Sequence, residues 1–322
     1  MNSRMIRGMV AGVLVFGALV PEVFAFPVKP LKAIVGYEAG SATDIGARDF
    51  FQPLLEKELG QPIMIVNKPG AASALAMREL YDSKPDGYTI GLSCSINVLK
   101  IQGHLPYTHR DFDVLSVPSL TWSVLAVPGK SPFKSAKDLI EYAKANPGKL
   151  RMSTTTKGAV FWIQARYFER ITGTKFNLIV NPGGASYIAT QLGGGHADVG
   201  IASYRPLKSQ IDAGNIRILG VTTARRVPGF TQFPTLKEQG IDMVITAWAA
   251  HIAPKGLPAE VYKKWVSSYA RVAASKEWEE LCVRSGSNAS PDCVGEEAVK
   301  FLDKDAEMQR PILEEIGAGQ KK

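Results

Sequence analysis

Five short loops rich in Gly, Ser and Thr hold the residues of this 322-residue chain that are best suited to binding chemistry. Each loop follows a segment that predicts a β-strand, and four of the five precede a segment that predicts a helix. A helix N-terminus offers unpaired N–H groups with a partial positive charge, and small residues let a ligand approach them closely. The candidate ligand-binding residues are Gly40, Ser41, Ala42, Thr43 and Asp44, then Gly70, Ala71, Ala72 and Ser73, then Ser93 and Ser95, then Thr154, Thr155, Thr156, Lys157, Gly158 and Ala159, and finally Gly183, Gly184 and Ala185.

Repetition of one loop chemistry is more informative than any single loop, since one such loop is an ordinary turn between a strand and a helix. Five of them predict N–H and hydroxyl donors that converge on one cleft. Such a set suits a small organic anion, above all a carboxylate, which needs fixed donors more than a buried counter-charge. Asp44 would repel a bound carboxylate, so we expect it to cap its helix or to orient waters in the loop.

Catalytic and metal-binding motifs are missing from the sequence. It contains no G-x-S-x-G elbow, no G-x-x-x-x-G-K-[ST] phosphate loop and no H-E-x-x-H pair. His104 and His109 are close enough to share a metal, but no cysteine pair accompanies them, and His196 and His251 are isolated. We therefore expect a binding protein without a metal or cofactor, and not an enzyme.

The three cysteines leave two alternatives open. Cys282 and Cys293 could close a short loop through a disulfide in an oxidising compartment, or both could remain free thiols. Cys94 would be left without a partner in either case.

The first 25 residues predict a targeting segment. Arg4 and Arg7 form a basic start, residues 9–20 are uncharged and apolar, and Pro21 ends this run. Val23-Phe24-Ala25 fits a cleavage site after Ala25, as in a secretory signal peptide, and an uncleaved membrane anchor is the alternative. The mature protein is then expected to be soluble and exported.

The net charge of +8 does not predict a nucleic-acid-binding protein, because charges of both signs are scattered along the chain without a basic block or a recognisable module. A positive field favours capture of small anions, although a solvated basic surface without a role fits equally well.

Strand-like and helix-like segments alternate through most of the chain, which predicts an α/β fold of mainly parallel sheets flanked by helices. In such sheets ligands bind beyond the carboxyl ends of the strands. Residues 259–275 carry apolar and aromatic side chains at helical spacing, and we interpret this stripe as the face of a helix that packs in the core. The predicted strands are residues 32–37, 63–67, 88–92, 123–127, 150–153, 176–180, 198–202 and 216–222, and the predicted helices are 43–59, 72–83, 135–146, 159–172, 185–192, 207–213, 259–275, 277–283 and 296–308.

An ordered set of short motifs resembles the Bug-type periplasmic solute-binding receptors of tripartite tricarboxylate transporters. The resemblance covers nearly the whole mature chain, and the ordered set is far more specific than any one motif. The matching residues are Gly40, Asp44 and Arg48; Asn67-Lys68-Pro69-Gly70-Ala71; Pro85-Asp86-Gly87-Tyr88-Thr89; Leu105-Pro106-Tyr107 with Asp111-Phe112; Asn146-Pro147-Gly148-Lys149-Leu150; Gly194-Gly195-His196-Ala197-Asp198; Phe233-Pro234-Thr235-Leu236; Trp248; and Ala253-Pro254-Lys255-Gly256.

The resemblance implies a two-lobe clamshell of the type II periplasmic binding fold. The chain is expected to cross between the lobes near residues 123–127 and 246–252. Lobe one would then comprise residues 27–124 plus 249–322, and lobe two residues 125–248. The family binds small carboxylates, often dicarboxylates or amino acids, with one carboxylate held by the first two loops. It also implies delivery to cognate membrane permease subunits, and we expect a monomer.

Departures from the family pattern concern the ligand. Ser41 replaces the second glycine of the first loop, and the fourth loop lacks the usual hydroxyl at Ala159. An acidic residue often found in the family falls at Ala202 or Ser203 here, so the resemblance adds these two positions to the candidate ligand-binding residues. The missing carboxylate argues against a ligand whose α-amino group needs a counter-charge. Phe161 and Trp162 could stack on an aromatic acid or pack in the core. A periplasmic ligand sensor or partner-binding module on the same fold is the main alternative function, followed by a small-molecule enzyme.

Overall fold

A computed structural model describes residues 26–181 and 184–315 of the chain, so the predicted signal peptide and Gly183 lie outside the described residues. The strands are β1 Leu31–Val35, β2 Ile63–Asn67, β3 Thr89–Ser93, β4 Phe112–Ser116, β5 Ser119–Pro128, β6 Arg151–Thr155, β7 Asn177–Asn181, β8 Val199–Ser203, β9 Ile216–Val221, β10 Thr246–Trp248, β11 Ala250–Pro254 and β12 Ser287–Ala289. The α-helices are α1 Ala42–Ile45, α2 Gln52–Leu59, α3 Ala74–Tyr81, α4 Ala136–Ala145, α5 Val160–Thr172, α6 Gly184–Gly193, α7 Tyr204–Asp212, α8 Ala259–Ala273, α9 Lys276–Ser285 and α10 Gly295–Glu315.

Helix boundaries follow the local sequence signals. Ser135 caps α4 with its hydroxyl while Asp138 bonds back to the cap, which is the capping box that the spacing predicts. Gly60 ends α2 and Gly173 ends α5, both in the left-handed conformation that glycine adopts without strain. The first predicted helix is interrupted, because a π-helical segment at Gly46–Phe51 joins α1 to α2.

The first sheet has five strands in the order β2-β1-β3-β11-β4. Strands β1, β2 and β3 are parallel, so the loops that follow them leave the sheet at the same edge. Residues of β1 alternate between the two faces: Leu31, Ala33 and Val35 pack with α2, α8 and α9, whereas Ile34 packs with α3 and α10.

The second sheet has seven strands, with β10-β5-β8-β6-β7 along its main path and β9 and β12 also paired to β5. Strands β6, β7 and β8 are parallel, and β5 runs antiparallel to β8 and β9. One face packs against α4 and α5 and the other against α6 and α7. We call the first sheet with its helices lobe one, and the second sheet with its helices lobe two.

Both sheets are mixed, so the expectation of mainly parallel sheets holds only for the strand–helix–strand units. The chain passes between the sheets through β5 and through the consecutive strands β10 and β11. These connecting strands pair antiparallel to their neighbours. The sequence pattern did not predict β4, β10, β11 or β12, whose pairing partners are distant in the chain.

A small apolar cluster joins the two lobes. Trp162 and Ile163 of α5 pack against Ile312 and Leu313 of α10 and against Val98 from lobe one. Phe161 packs in the core of lobe two, so Phe161 and Trp162 are both core residues rather than an exposed stacking surface. The stripe of α8 is also core, since Trp265 and Tyr269 are fully buried.

The cysteines Cys94, Cys282 and Cys293 are free thiols in the structure, which decides against a Cys282–Cys293 bridge. Among the helices that the structure describes, none is long and apolar enough to cross a membrane.

Candidate functional site

The first loop connects β1 to α1 and is held in shape by its own side chains. Gly40 has a φ of 80°, in the left-handed region that favours glycine. Ser41 is the N-cap of α1, and its hydroxyl accepts a hydrogen bond from the Asp44 N–H at 3.3 Å. The N–H groups of Ala42 and Thr43 have no acceptor among the described residues, so they remain available to a ligand.

Asp44 is buried behind this loop and accepts bonds from three donors. Its Oδ2 accepts the Gly40 N–H at 2.9 Å, and its Oδ1 accepts Arg48 Nε and Asn67 Nδ2, both at 2.8 Å. Burial alone would raise the pKa of Asp44, but the bonds from Gly40, Asn67 and Arg48 outweigh it and hold that pKa below its ordinary value. The carboxylate therefore ties the first loop to its helix and to the end of β2.

The second loop has an unusual backbone. Gly70 has a φ of 136°, and the next three residues, Ala71, Ala72 and Ser73, have φ values of 46°, 54° and 80°. Three consecutive non-glycine residues at positive φ store conformational strain, at about 1–2 kcal/mol each. The N–H groups of Ala71 and Ala72 have no acceptor among the described residues. This loop thus presents bare amides at the sheet edge that the first loop also occupies.

Close packing explains why the second loop approaches β1. A Cβ added at Gly36 would lie 2.3 Å from the Ser73 Cβ, so only glycine fits at that position. The Ser73 hydroxyl is buried and bonds to the buried Ser93 hydroxyl at 2.7 Å. Ser73 and Ser93 therefore join the second and third loops, and their hydroxyls are occupied by each other.

The third loop contacts the first loop. Cys94 Sγ lies 3.2 Å from Thr43 Oγ1, and the Cys94 N–H donates to the Tyr37 hydroxyl at 3.0 Å. Ser95 is half-buried, and its N–H donates to Ser93 Oγ at 3.2 Å. The first three loops therefore converge, as the sequence predicts for adjacent parallel strands.

The fourth loop, before α5, faces lobe one. Gly158 has a φ of 83°, and its carbonyl accepts Gln102 Nε2 from lobe one at 2.8 Å. Thr154 and Thr155 are buried, and Thr155 Oγ1 accepts the Trp162 N–H. Thr156 and Lys157 are exposed, and Ala159 is the N-cap of α5. Gly158 thus joins this loop to lobe one through a hydrogen bond.

Several other predicted site residues take no part in the contact between Gly158 and Gln102. Gly184 begins α6 with a φ of 64°, and Ala185 packs beside a core cluster of lobe two. Ala202 is fully buried in that cluster, so its side chain belongs to the core. Ser203 is buried and precedes α7 without capping it through its side chain.

A small cavity lies where the third and fourth loops meet. It encloses about 20 Å³, which is room for about one water molecule, so cargo of several carbons requires the lobes to separate. Its lining includes Ser95, Gly158 and Val160 together with Trp248, Asp305 and Gln309. Trp248 comes from β10 and is one of the residues that match the family pattern, whereas Asp305 and Gln309 come from α10, and no motif in the sequence points to them.

Asp305 gives this cavity a buried carboxyl group. Its Oδ2 accepts Asn97 Nδ2 at 2.7 Å and also accepts Gln309 Nε2, and the Trp248 side chain lies within reach. Burial raises the pKa of Asp305 to about 6, although these hydrogen bonds oppose the shift. The position could not have been found from sequence, because an acidic residue in an amphipathic helix normally faces solvent.

A metal site is not evident: in residues 26–181 and 184–315 no three His, Cys, Asp or Glu side chains are grouped closely enough to hold an ion. His109 is paired with Asp303, and His251 with the Tyr269 hydroxyl. The arrangement at the loops can bind an anion, and it contains no paired nucleophile and base.

Comparison with known proteins identifies the relatives of this chain. The family model described as "Tripartite tricarboxylate transporter family receptor" matches residues 48–318 of this chain. Protein BugT of Bordetella pertussis is 29% identical over 242 residues, covering 73% of this chain and 74% of BugT.

Solved structures show the same fold. A TctC solute binding protein from Polaromonas, solved without ligand, is 26% identical, with a TM-score of 0.77 over 90% of this chain and 99% of that one. An R. palustris protein solved with adipate is 24% identical, with a TM-score of 0.74 over 91% of this chain and 98% of that one. The two-lobe α/β fold is confirmed by this likeness.

Proposed function

Because the chain belongs to the tripartite tricarboxylate transporter receptor family, whose members are periplasmic solute-binding receptors and not enzymes, we propose that it captures one small organic carboxylate between its lobes and delivers it to a membrane permease. The proposal includes the lobe boundaries, which are residues 27–124 plus 249–322 for lobe one and 125–248 for lobe two. It also includes export through cleavage of the signal peptide after Ala25, and function as a monomer.

The observation that carries this proposal is the set of unpaired amides at one edge of the first sheet. Strands β1 and β2 are parallel neighbours, with Val35 opposite Asn67, so their following loops leave the sheet side by side. The free N–H groups of Ala42 and Thr43 in one loop, and of Ala71 and Ala72 in the other, supply four donors. A carboxylate has about four lone-pair positions, which matches this number of donors.

Electrostatics support an anionic ligand in spite of the nearby Asp44. Its charge is compensated by Arg48 and by the donors of Gly40 and Asn67, so little of it is left to act on a ligand. The N-terminus of α1 adds a partial positive charge. The fixed dipoles need no reorganisation when the ligand arrives, since the hydrogen bonds of Asp44 already hold the loop.

Lobe two would complete the site by closing. The first two helical N–H groups of α5, those of Val160 and Phe161, have no acceptor among the described residues. Val160 lies on the cavity wall, and Gly158 already bonds to Gln102 of lobe one. Contacts that a ligand makes only in the closed form shift the equilibrium toward that form, which the permease then recognises.

Relatives support the ligand class. The R. palustris protein with the same fold was solved with adipate, which is a small organic carboxylate. The identity of the acid bound by this chain is part of the proposal only as a class, that of small organic carboxylates.

The proposal is tested with the purified chain starting at Phe26. We expect isothermal titration calorimetry over a panel of mono- and dicarboxylic acids to show saturable binding at one site per chain. Proton NMR of the acid after overnight incubation should show no chemical change. Absence of binding across the panel, or conversion of the acid, would contradict the proposal.

Delivery needs a separate experiment. The chain carrying an affinity tag, loaded with the best acid of the panel, is incubated with detergent-solubilised membranes of its host. We expect permease subunits in the eluate, in larger amount with the acid than without it. Recovery of a sensor domain in place of a permease would favour the alternative of a periplasmic ligand sensor.

A further inference from the structure

We propose that Asp305 is a specificity-determining residue, whose carboxylate accepts a hydrogen bond from a donor group at the far end of the bound acid. The receptor would then select carboxylates that also carry an ammonium or hydroxyl group over dicarboxylates of the same length. This inference depends on the proposed function, because it assigns the ligand class of that same cleft.

Position is the first argument. Asp305 belongs to α10 of lobe one, and it lines the cavity together with Ser95 from the third loop and Gly158 from lobe two. Ser95 is adjacent to Cys94, which contacts Thr43 of the first loop. The cavity therefore lies beside the loops that hold the first carboxylate, in the space that the rest of the ligand would enter when the lobes separate and close.

Unused hydrogen-bonding capacity is the second argument. An ionised carboxylate has about four lone-pair positions, and Asp305 has three neutral partners, the side chains of Asn97, Gln309 and Trp248. Both amide bonds go to Oδ2, and three partners on about four positions leave room for one further donor.

Asn97 provides an independent observation. It is 2% exposed, and its Nδ2 donates to Asp305 and to the Leu302 carbonyl, which fixes the orientation of the amide. Its Oδ1 has no hydrogen-bond partner in the structure. A buried acceptor without a donor is costly, so the environment of Asp305 lacks a donor rather than an acceptor.

Charge is the third argument. The groups that bond to Asp305 are two amides and an indole, and none of them is cationic. Burial raises the pKa of Asp305 to about 6, so at pH 7.5 its carboxyl group is ionised in most protein molecules. A second carboxylate placed here would meet an uncompensated negative charge, whereas an ammonium would compensate it. The residue thus supplies the acidic partner that Ala202 and Ser203 do not provide.

The test uses linear acids of three to six carbons that share one carboxylate and end in methyl, hydroxyl, ammonium or a second carboxylate. Calorimetric titration at pH 7.5 should show that the wild-type protein binds the ammonium- or hydroxyl-terminated acid at least tenfold more tightly than the methyl-terminated acid and the diacid of its length. In Asp305→Asn this preference should fall at least tenfold, and binding of the diacid should become tighter.

Asp303→Asn is the matched control, because Asp303 lies two residues earlier in α10 and pairs with Arg110 and His109 instead of lining the cavity. It removes the same charge and should keep the wild-type preference. A wild-type preference for diacids, or an unchanged preference in Asp305→Asn, would overturn the inference while leaving carboxylate binding intact. The wild-type ranking is decisive even if Asp305→Asn folds poorly. Failure of every acid to bind the wild-type protein would instead contradict the proposed function itself.

Discussion

The backbone N–H of Gly40 donates to the carboxylate of Asp44 at 2.9 Å, so an acidic side chain occupies one of the amides that the first loop could have offered to an anion. The same carboxylate also bonds to Arg48 and Asn67. Asp44 is thereby a fixed part of the loop, and the free donors are the next amides, at Ala42 and Thr43.

Replacing Asp44 by Asn should loosen the loop. The substitution keeps the shape but replaces an acceptor of three charge-assisted bonds, so we expect a loss of about 1–3 kcal/mol in the free energy of unfolding. Carboxylate affinity should also fall, because the amides lose their fixed orientation. Urea denaturation and calorimetry measure the two effects. Asp212→Asn, which removes an exposed partner of Lys208, is the control and should change stability by less than about 0.5 kcal/mol.

Acid should remove the contribution of Asp44 in the wild-type protein. Because its pKa is lower in the folded state, the stabilisation is present above the ordinary pKa of 3.8 and is lost as the pH falls through the folded value. The stability difference between the wild-type protein and Asp44→Asn should therefore shrink when the pH is lowered from 7 to 3. A difference that is constant over this range would show that the charge of Asp44 does not stabilise the loop.

A side chain at Gly40 tests the exposure of the amides. A Cβ there would meet no atom within 4 Å, so Gly40→Val should leave the fold intact apart from the strain of positive φ, about 1–2 kcal/mol. We expect it to abolish carboxylate binding, because the branched side chain covers the neighbouring N–H groups. Gly60→Val is the control: Gly60 also has positive φ and open space, but it ends α2 outside the loops. Gly60→Val should lower the free energy of unfolding by a similar amount and leave carboxylate binding unchanged. If Gly40→Val binds the carboxylate as tightly as Gly60→Val does, Gly40 does not belong to the site.

The strain of the second loop can be relieved by glycine. Ala72 has φ 54° and ψ 39°, so Ala72→Gly should raise the free energy of unfolding by up to about 1 kcal/mol after the larger entropy of the unfolded glycine is subtracted. Ala270→Gly, in the interior of α8, should lower it by about 0.5–1 kcal/mol. Thermal unfolding of the two variants measures this opposite sign. Destabilisation of equal size in both would mean that the loop is not strained at Ala72.

Asp305 should destabilise the folded protein when it is ionised. Its folded pKa of about 6 exceeds the ordinary 3.8, so the stability linked to its protonated form is fully present below 3.8 and is lost as the pH rises through about 6. Asp305→Asn should accordingly gain stability over the wild-type protein between pH 4 and pH 8, by up to about 3 kcal/mol. Guanidinium unfolding at the two pH values measures the gain. A gain that does not change with pH would contradict the burial of an ionised carboxyl.

Local sequence patterns predicted most of the regular structure. The capping box at Ser135 and the glycine stops at Gly60 and Gly173 act within one turn of helix, so they are readable from neighbouring residues alone. The aromatic stripe in α8 was likewise predicted to be core, and Trp265 and Tyr269 are fully buried. Strands β4, β10, β11 and β12 escaped prediction because their pairing partners lie far away in the sequence.

The sequence by itself determined the strand–loop–helix units, the small residues of the loops and, through its ordered motifs, the family. Only the tertiary structure decided how the loops are used: that Asp44 binds the Gly40 amide, that Ser73 and Ser93 satisfy each other, and that Ala202 is core. It also brought Asp305, which follows Ser95 by more than two hundred residues, to the same cavity. The physical reason is that helices and turns depend on contacts within a few residues, whereas burial and hydrogen-bond partners depend on how distant segments pack.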